Sequence, residues 1–394
     1  MVPKFSVRRL DQCLNIDDFR QLAERKLPSP VYHFLVGGAE DEVTLGRNMA
    51  AFEDYDLVPN YMVGVDKVDA STEVLGQKLE WPVFCSPTGI TRLFHPGGEV
   101  AVARAAGKTG TAYTLSAAAT ASIEEVAAAG AGPKFFQIYF FKDPGLTEEF
   151  VSRCRAANYP ALMATVDTPV AGNRERDVRT GMMVQPRLTL SGLISFATHF
   201  GWSLRMLTGA KISFPNFADR MAASGDDSQN AAEYMGSQMD SSVNWDTAAK
   251  LVELWGGPFA LKGILSVEDA KRAVDIGVSA IVVSNHGGRQ FDGAPAAVDR
   301  IAPIVDAVGD RAEVILDGGV RRGSHVLKAI ALGAKACMIG RPFIYGLASG
   351  GEAGVDRALG LLRAEVERAM ALSGCRTLAD LDRSRVVSRR PNAS

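Results

Sequence analysis

The sequence predicts a TIM barrel, an α/β fold in which eight parallel strands alternate with helices and close into a ring. Short and almost continuously apolar runs recur along the chain, as in strands that are covered on both faces. A segment with helical signals follows each run, and eight is the number of strands at which such a barrel closes. The predicted strands are residues 82–86, 111–116, 135–140, 162–166, 259–262, 280–284, 313–316 and 336–339.

Helix starts and the segments outside the barrel complete the predicted architecture. Ser122 and Glu125 form a capping-box pattern, and Ser266 begins a similar one. Residues 1–80 are expected to form a helical extension, and residues 354–373 a closing amphipathic helix. We predict a single domain over residues 1–387, followed by a disordered tail over residues 388–394.

The gap between the fourth and fifth strands is much longer than one crossover helix requires, which predicts an insertion over residues 179–243. Residues 188–207 are rich in apolar side chains, and no acidic residue occurs between Asp177 and Asp219. Segment 188–217 is therefore expected to contact an anionic membrane surface. A lid packed on the barrel, or a contact with another subunit, is the alternative. The basic residues of this region are Arg179, Arg187, Arg205, Lys211 and Arg220.

Composition excludes several classes of protein. The 394 residues include 43 basic and 45 acidic ones, with a net charge of -2 and no long basic run, which argues against nucleic-acid binding. The five cysteines form no C-x-x-C pair, so no metal site is predicted and a reducing compartment fits best. The N-terminus has no secretory signal and no stretch is apolar enough to span a membrane. We expect a cytoplasmic protein, with peripheral contact at the cytoplasmic face of the cell membrane.

The carboxyl ends of the strands form the active-site face of a TIM barrel. After the sixth strand, Ser284 leads to His286, and histidine is the residue type best suited to take up a proton near neutral pH. Gly287 and Gly288 place this histidine on a tight turn, and Arg289 is suited to bind an anionic substrate. A lone histidine is usually structural, but the other four histidines lack such a position.

Glycine-rich loops follow the seventh and eighth strands, where TIM barrels commonly bind phosphate. Glycines let backbone N–H groups approach a phosphate closely, and each loop also carries an arginine. Phosphate binding is therefore the strongest single prediction from these residues. The loops contain Asp317, Gly318, Gly319 and Arg321, and then Gly340 and Arg341.

A lysine and an aspartate follow the fifth and fourth strands. Lys262 puts an ammonium group at the barrel mouth, as a Schiff-base nucleophile, a phosphate contact or a stabiliser of a developing anion. Asp167 is suited to orient a base, and Arg174 to make a second contact with an anion. An ordinary salt bridge in the loop is the alternative for both.

The first three strands end in neutral hydrogen-bonding residues. Such groups suit a heteroaromatic cofactor with several carbonyl and nitrogen edges better than they suit a sugar or a metal. Neither a P-loop nor a strand-linked G-x-G-x-x-G is present, so a nicotinamide site is not supported. The residues are Pro87, Thr88, Gly89, Ser116, Gln137 and Tyr139.

Together, these segments resemble the FMN-dependent α-hydroxy acid dehydrogenase and oxidase family, and their features are most similar to the (S)-mandelate dehydrogenase type. The resemblance runs from about Phe19 to Leu381. It is carried by residues 284–290, 317–323 and 340–342, with 37–42, 135–139 and 261–263.

The resemblance implies roles for individual residues. His286 is similar to the base that takes the substrate hydroxyl proton, with Asp167 as its partner. Arg174 and Arg289 resemble the pair that binds the substrate carboxylate. Tyr139 resembles the residue that forms a hydrogen bond to the reacting centre.

The resemblance also implies a set of FMN contacts. Lys262 is similar to the lysine beside flavin N1 and the C2 carbonyl, where a positive charge stabilises the reduced, anionic flavin. Further contacts to the ring, the ribityl chain or the phosphate are implied for Pro87, Thr88, Gly89, Ser116, Gln137, Thr165, Ser284, Asp317, Gly318, Gly319, Arg321, Gly340 and Arg341.

Two positions depart from the family pattern. Phe34 replaces the second tyrosine of a Tyr-x-Tyr motif, whose hydroxyl helps to hold the carboxylate. Losing one neutral hydrogen bond costs about 0.5–1.5 kcal/mol, less than charged arginine contacts supply. Activity should survive, and a larger or aromatic substrate is favoured. Gly89 occupies a position that is often alanine in the oxidases and glycine in mandelate dehydrogenase, which weakly favours slow reaction with oxygen.

These observations predict FMN-dependent oxidation of an (S)-2-hydroxy acid, mandelate-like or lactate-like, to the 2-keto acid. Residues 201–205 resemble the membrane-binding segment of mandelate and bacterial lactate dehydrogenases, so electrons are expected to pass to a quinone or an electron-transfer chain. A soluble oxidase that reduces O2 to hydrogen peroxide is the nearest alternative, and a lyase or isomerase using Lys262 on a phosphorylated substrate is another. The family also suggests a homotetramer.

Overall fold

The computed structural model describes residues 6–182, 189–209, 212–224 and 231–389. The N-terminal extension begins with three helices, α1 (Ile16–Lys26), α2 (Ser29–Val36) and α3 (Val43–Ala50). Helix α1 starts at Asn15, whose side chain accepts a hydrogen bond from the backbone N–H of Asp18 at 3.1 Å. This part of the extension is helical, as the sequence predicts.

The second part of the extension differs from the prediction, because it forms strands. Strand β1 (Tyr55–Leu57) pairs with residues Val386–Ser388 near the other end of the chain. Strands β2 (Thr72–Val74) and β3 (Gln77–Leu79) form a hairpin. The partner of β1 is more than three hundred residues away in sequence, so the local pattern could not indicate that pairing.

The first half of the barrel alternates strands and helices as predicted. It contains β4 (Val83–Cys85), α4 (Gly98–Lys108), β5 (Tyr113–Ser116), α5 (Ile123–Ala127), β6 (Lys134–Ile138), α6 (Pro144–Ala156) and β7 (Leu162–Thr165). The capping box at Ser122 is present, since its Oγ accepts from the N–H of Glu125 at 3.0 Å and its own N–H donates to that carboxylate at 2.7 Å. Strand β6 ends two residues earlier than predicted, so Tyr139 follows the strand.

The insertion forms short helices. They are α7 (Glu175–Thr180), α8 (Leu190–Thr198), α9 (Phe200–Thr208), α10 (Ala218–Ser224) and α11 (Ala231–Gln238). Helix α9 is anchored to the barrel by Trp202, whose indole N–H donates to the carbonyl of Leu93 at 3.0 Å. In the described part of the chain, no helix is both long and apolar enough to cross a membrane. Leu188, Ala210 and Lys211 of the predicted membrane segment, and Arg187 just before it, lie outside the described residues.

The second half of the barrel contains α12 (Trp245–Trp255), β8 (Phe259–Ile264), α13 (Val267–Asp275), β9 (Ala280–Ser284), α14 (Ile301–Val308), β10 (Glu313–Asp317), α15 (Gly323–Ala331), β11 (Ala336–Ile339) and α16 (Arg341–Ser373). Strands β4 to β11 form a closed parallel barrel, in which β11 pairs with β4. The predicted fold class is therefore confirmed.

The last helix is longer than predicted, because α16 begins at Arg341 and is interrupted at Gly350 and Gly351. Gly351 has a φ of +60°, and a Cβ atom there would lie 2.7 Å from the His95 ring. The predicted disordered tail also begins too early. Ser388 belongs to β12 (Val386–Ser388), and Arg389 pairs with Asp56 at 2.6 Å. Residues 390–394 lie outside the described residues.

The β2–β3 hairpin closes the amino-terminal end of the barrel. Its buried residues Val74, Leu75 and Leu79 belong to one apolar cluster with inward-facing side chains of the strands, including Phe84 and Met338. The backbone N–H of Leu75 also donates to the carboxylate of Glu313 at 3.0 Å. We call this hairpin, residues 72–79, the floor of the barrel. The other end of the barrel, at the carboxyl ends of the strands, is where the predicted site residues lie.

Candidate active site

A large cavity of about 1290 Å³ lies at the carboxyl ends of the strands. Residues from the barrel loops, the N-terminal extension and the insertion line it. The structure thereby brings together most of the residues that the sequence predicts for the site. Those on the cavity wall are Phe34, Pro87, Thr88, Gly89, Tyr139, Arg174, Lys262, His286, Arg289, Asp317, Gly318, Gly319, Arg321, Gly340 and Arg341.

His286 and Asp167 form a hydrogen-bonded pair at this end of the barrel. Nδ1 of His286 lies 3.0 Å from Oδ1 of Asp167. Burial acts to raise the pKa of Asp167, but the charge and hydrogen bond of His286, together with the charge of Lys262, hold that pKa below its usual value. An ionised carboxylate only accepts hydrogen bonds, so Nδ1 carries the proton. Nε2 of His286 is then the nitrogen that can accept a proton from a ligand.

Lys262 belongs to a buried polar network. Its Nζ lies 3.0 Å from Oδ2 of Asp317 and donates to Oγ of Ser284 at 3.1 Å. Asp317 also accepts from the hydroxyls of Ser284 at 2.8 Å and Ser86 at 2.7 Å. Burial acts to lower the pKa of Lys262, but the charges of Asp317 and Asp167 raise it overall. A protonated ammonium is a fixed positive charge and a poor nucleophile, which argues against a Schiff base.

Two arginines approach the cavity beside Phe34. The guanidinium carbons of Arg289 and Arg174 lie 5.1 Å and 5.8 Å from the centre of the Phe34 ring. Nη1 of Arg289 donates to the carbonyls of Phe34 and Gly37, both at 2.9 Å. Burial, with the charges of Arg174 and Arg341, lowers the pKa of Arg289 to about 9. The two positive charges suit an anionic ligand group at this wall.

The glycine-rich loops form the opposite part of the wall. Gly318 and Gly319 have φ values of +128° and +78°, which glycine adopts readily. A Cβ atom at Gly340 would lie 3.6 Å from the side chain of Thr88, so the loop packs closely against the loop after the first barrel strand. Arg341 starts helix α16, and the first N–H groups of a helix have no partner inside it. Backbone N–H groups at a helix start suit a phosphate.

The side chain of Arg341 lines the cavity and also makes contacts that the sequence did not indicate. Its guanidinium donates to the carbonyls of Leu35 at 3.1 Å, Gly287 at 3.0 Å and Gly37 at 2.8 Å. It thus ties the N-terminal extension to the turn that carries His286. The guanidinium has five N–H groups and these bonds use three, so the predicted phosphate contact of Arg341 stays a prediction.

Comparisons with known proteins agree with this site. A family model described as FMN-dependent dehydrogenase matches residues 23–388. The chain belongs to the FMN-dependent dehydrogenase family. It is 43% identical over 375 residues to L-lactate oxidase of Nostoc sp., covering 94% of this chain and 97% of that protein. It is 39% identical over 381 residues to glycolate oxidase 1 of Oryza sativa subsp. indica, covering 96% and 97%.

Solved structures give the same result. The monotopic membrane protein (S)-mandelate dehydrogenase superposes with a TM-score of 0.90 at 35% identity, over 96% of this chain and 100% of that one. A mandelate oxidase bound to (S)-2-phenylpropionate superposes with a TM-score of 0.81 at 35% identity, over 96% and 98%. The predicted FMN cofactor and the predicted oxidation of a 2-hydroxy acid are therefore confirmed.

The residues of this FMN-dependent dehydrogenase fit the cofactor. Oγ1 of Thr88 is buried on the cavity wall and has no hydrogen-bond partner among the described residues, so it is available to a polar ring edge. Lys262 supplies a positive charge on the same wall, and the backbone of the loops at Gly319 and Gly340 lines the same cavity, where its N–H groups would suit a phosphate. The donor set therefore matches a flavin ring at one end and a phosphate at the other.

Some predicted FMN contacts lie behind the wall. Ser116 donates to Oε1 of Gln137 at 2.8 Å, and both side chains are buried. Ser284 is enclosed in the network of Lys262 and Asp317. Thr165 lines a smaller neighbouring cavity of about 280 Å³. In this arrangement Ser116 and Ser284 contact residues of the wall, and Gln137 contacts Ser116.

Sequence reasoning missed two parts of the site. The first is an apolar wall supplied by the insertion, which includes Met182, Phe214, Met221 and Met235. No local pattern indicates that these residues fold back over the barrel mouth. The second is Asp177, a buried carboxylate beside Arg174 and Arg289. Its position three residues after Arg174, on the same face of a helix, was a usable signal.

Proposed function

We propose that the protein oxidises an (S)-2-hydroxy acid with an aromatic or medium-sized side chain, such as mandelate, to the 2-keto acid. We further propose that the electrons pass to a quinone or an electron-transfer chain at a membrane surface. The observation that carries the chemical part of this proposal is one shared cavity, which contains a histidine paired with a carboxylate and two arginines able to hold an acid.

The substrate carboxylate would bind to Arg174 and Arg289. Both guanidinium groups lie over the Phe34 ring, and Nη1 of Arg289 is held by two backbone carbonyls, so its remaining N–H groups have a fixed direction. Fixed donors lose little entropy when an anion binds. Tyr139, on the same wall, would form a hydrogen bond to the reacting centre.

The hydroxyl proton would move to Nε2 of His286. Asp167 accepts from Nδ1 and its negative charge stabilises the imidazolium that forms. The hydroxyl proton must leave as the alcohol becomes a ketone, so a base at this position lowers the barrier. His286 serves this role whether the α-hydrogen leaves as a hydride or as a proton.

FMN, when bound, supplies the two-electron acceptor for the reaction. Lys262 and Thr88 would hold its ring, together with Pro87 and Gly89. The loops at Asp317, Gly318, Gly319, Arg321, Gly340 and Arg341 would hold the ribityl chain and the phosphate. The ammonium of Lys262 would place a fixed positive charge beside the ring, which favours a negatively charged reduced form.

The size of the substrate side chain follows from the wall of the insertion. Three methionines, Met182, Met221 and Met235, line the cavity with Phe214. Methionine is flexible and makes favourable contacts with aromatic rings. This wall suits a phenyl group better than the hydrogen of glycolate.

The membrane part of the proposal rests on the outer face of α8 and α9. Leu190 is 76% exposed, Phe200 70% and Leu207 84%, with Leu193, Ile194 and Leu204 also exposed. An apolar face of this kind is typical of a helix pair that lies in a lipid interface. The chain also superposes better on the monotopic membrane protein (S)-mandelate dehydrogenase, with a TM-score of 0.90, than on a soluble mutant of the membrane-associated (S)-mandelate dehydrogenase from Pseudomonas putida, with 0.81.

Anaerobic mixing tests the chemistry. The protein with FMN bound is mixed with (S)-mandelate, L-lactate or glycolate while the absorbance of oxidised flavin is followed. We expect (S)-mandelate to bleach the flavin fastest and (R)-mandelate to leave it oxidised. If no 2-hydroxy acid bleaches it, the proposed substrate class is wrong.

Two assays test the electron acceptor: hydrogen peroxide is measured in air, and reduction of a quinone is measured without air. We expect little hydrogen peroxide per substrate consumed and rapid reduction of a soluble ubiquinone analogue. The relatives named above include L-lactate oxidase and glycolate oxidase, so O2 is the alternative electron acceptor. One hydrogen peroxide formed per substrate oxidised would show that O2, and not a quinone, accepts the electrons.

Sedimentation with vesicles tests membrane contact. A variant with serine at Leu190, Phe200 and Leu207 should lose binding to vesicles that contain anionic lipid, while flavin reduction is kept. Serine at Met62, an exposed apolar residue outside the insertion, is the control and should leave binding unchanged. Equal sedimentation of all three proteins would contradict the membrane proposal.

Location and assembly complete the proposal. We propose a cytoplasmic homotetramer that binds to the cytoplasmic face of the cell membrane. All five cysteines are buried and free, which fits a reducing compartment. Light scattering of the purified protein measures the oligomeric state directly, and a monomeric or dimeric mass would contradict the tetramer.

A further inference from the structure

Asp177 is a buried carboxylate in the wall of the active-site cavity. It lies in the first turn of α7, and the residue is only 5% exposed. Its Oδ2 is 3.6 Å from Nε of Arg174 and 4.0 Å from Nη2 of Arg289, which is too far for hydrogen bonds. Its Oδ1 is buried and has no hydrogen-bond partner in the part of the chain that the structure describes. This carboxylate therefore faces two positive charges without bonding to either.

The arginines around Asp177 direct their hydrogen bonds elsewhere. Nη1 of Arg289 donates to two backbone carbonyls. Arg176, on the same helix as Asp177, binds Glu42 through a fork of two hydrogen bonds, at 2.8 and 2.5 Å. The charged groups that act on Asp177 are thus Arg174, which precedes its helix, Arg176 of the same helix, Arg289 of the barrel and Glu42 of the extension. Burial raises the pKa of Asp177 in spite of the three arginines.

A substrate carboxylate at Arg174 and Arg289 would bring a second negative charge beside Asp177. Two carboxylates that share one site cannot both remain ionised without strong repulsion, and a shared proton removes that repulsion. Asp177 has an oxygen with no partner, so it is the group able to take the proton and to donate it in a hydrogen bond to the substrate.

We propose that Asp177 takes up one proton from solvent when the acid binds and returns it when the product leaves. The inference rests on the proposed function, because it requires the substrate carboxylate at the arginine pair. It makes Asp177 a specificity-determining residue, since only a charged ligand induces the protonation. It also predicts that affinity for the acid falls as pH rises. The dissociation constant increases by up to tenfold per pH unit between the pKa values of Asp177 in the free and the bound enzyme, as for any single linked proton.

Calorimetry with non-reacting ligands tests this proposal on the FMN-loaded enzyme. Phenylacetate and propionate carry the carboxylate but lack the hydroxyl group, so they cannot be oxidised to a keto acid. Phenylacetamide is the uncharged control. Binding heats at pH 6 in two buffers with different ionisation enthalpies give the number of protons taken up.

Variants identify the group that is protonated. Wild type and Glu175→Gln, an exposed neighbour on the same helix, should take up a proton with the acids and none with the amide. Asp177→Asn should bind the acids at least as tightly, take up no proton and show a dissociation constant that does not vary with pH. His286 is the other group in the cavity that could take up the proton. If Asp177 is the acceptor, His286→Gln should still take up one proton when an acid binds.

Each opposite outcome has a defined meaning. Proton uptake that persists in Asp177→Asn, or that disappears in His286→Gln, would overturn the assignment to Asp177. Binding of the acids to the wild type without proton uptake would overturn this inference and leave the proposed function intact. If neither acid binds to the FMN-loaded wild type, the proposed carboxylate site fails, and the inference fails with it.

Discussion

The imidazole of His286 is fixed by its backbone as well as by its partner. The residue has a φ of +58°, a left-handed conformation that costs a non-glycine residue about 1–2 kcal/mol. Its backbone N–H donates to Oγ of Ser284 at 3.1 Å, and its Nδ1 contacts Asp167. Such strain persists only where the surrounding structure over-determines the conformation, and it is typical of functional sites.

Replacement of His286 tests its role as the base. His286→Gln keeps a polar side chain of similar size but cannot accept a proton, so we expect flavin reduction to slow by roughly 10³-fold. FMN content, read from the visible spectrum, should be unchanged. His199→Gln, at the end of α8, is the control and should reduce at the wild-type rate. Near-normal reduction in His286→Gln would refute the assignment.

Phe34 determines part of the substrate preference. Its ring lies under both arginines and stacks on Phe94 at 6.3 Å. Phe34→Tyr would add a hydroxyl beside the carboxylate site, worth about 0.5–1.5 kcal/mol for one new hydrogen bond. We expect KM for L-lactate and glycolate to fall about threefold to tenfold, with a smaller change for mandelate. Steady-state kinetics measure this effect, and an unchanged KM would mean that the substrate does not reach position 34.

The sequence predicts the site residues that lie at or near the ends of barrel strands. Lys262 and Asp317 lie at the carboxyl ends of barrel strands and His286 lies two residues beyond one, so the sequence indicated where they lie. The pairing of His286 with Asp167 came from the family resemblance, since these residues are 119 positions apart. The use of the Arg341 side chain on backbone carbonyls could not be predicted, because its partners belong to the N-terminal extension.

Among the secondary-structure elements, the floor hairpin shows a conflict between backbone and side chain. Leu75 and Gly76 have φ values of +50° and +74°, as in a type I′ turn, where asparagine is favoured and leucine is not. Leu75 is nevertheless only 2% exposed, because its side chain fills the barrel interior. Burial of the side chain thus outweighs the strain of the turn.

Leu75→Asn separates these two effects. The substitution suits the turn and relieves about 1 kcal/mol of backbone strain. It also removes buried leucine packing worth about 2–5 kcal/mol, so we expect a lower thermal unfolding temperature. Lys78→Ala, at an exposed position of the same hairpin, is the control. A Leu75→Asn protein as stable as the wild type would show that the floor contributes little to stability.

The barrel elements and the remaining elements differ in how well local patterns predict them. Strands buried on both faces are almost continuously apolar, so all eight were recognised within three residues of their ends. The extension was assigned as helical throughout, yet β1 exists only through its pairing with β12. Helix α16 begins thirteen residues before the predicted start, and Gly350 and Gly351, which are not helical, separate its first part from the predicted segment.

For the whole molecule, the N-terminal extension completes the active site. Asn48 of α3 and Asn285, the residue before His286, exchange two side-chain hydrogen bonds at 2.7 and 2.8 Å. The backbone carbonyl of Asn48 lies where a Cβ atom at Gly319 would be, only 1.8 Å from it. Asn48 therefore contacts both the turn that carries His286 and the Gly319 loop, which would hold the phosphate. The barrel and its extension form one functional unit.

The closed floor of the barrel also determines the order of events in a catalytic cycle. Val74, Leu75 and Leu79 fill one end of the barrel, so small molecules reach the site from the opposite end, where the cavity lies. We expect the keto acid and the electron acceptor to use that entrance in turn, so that the product leaves before the acceptor reacts. Initial rates measured at several fixed acceptor concentrations should give parallel double-reciprocal lines, the pattern of a ping-pong mechanism. Intersecting lines would indicate that acid and acceptor occupy the enzyme together, through a second route to the flavin.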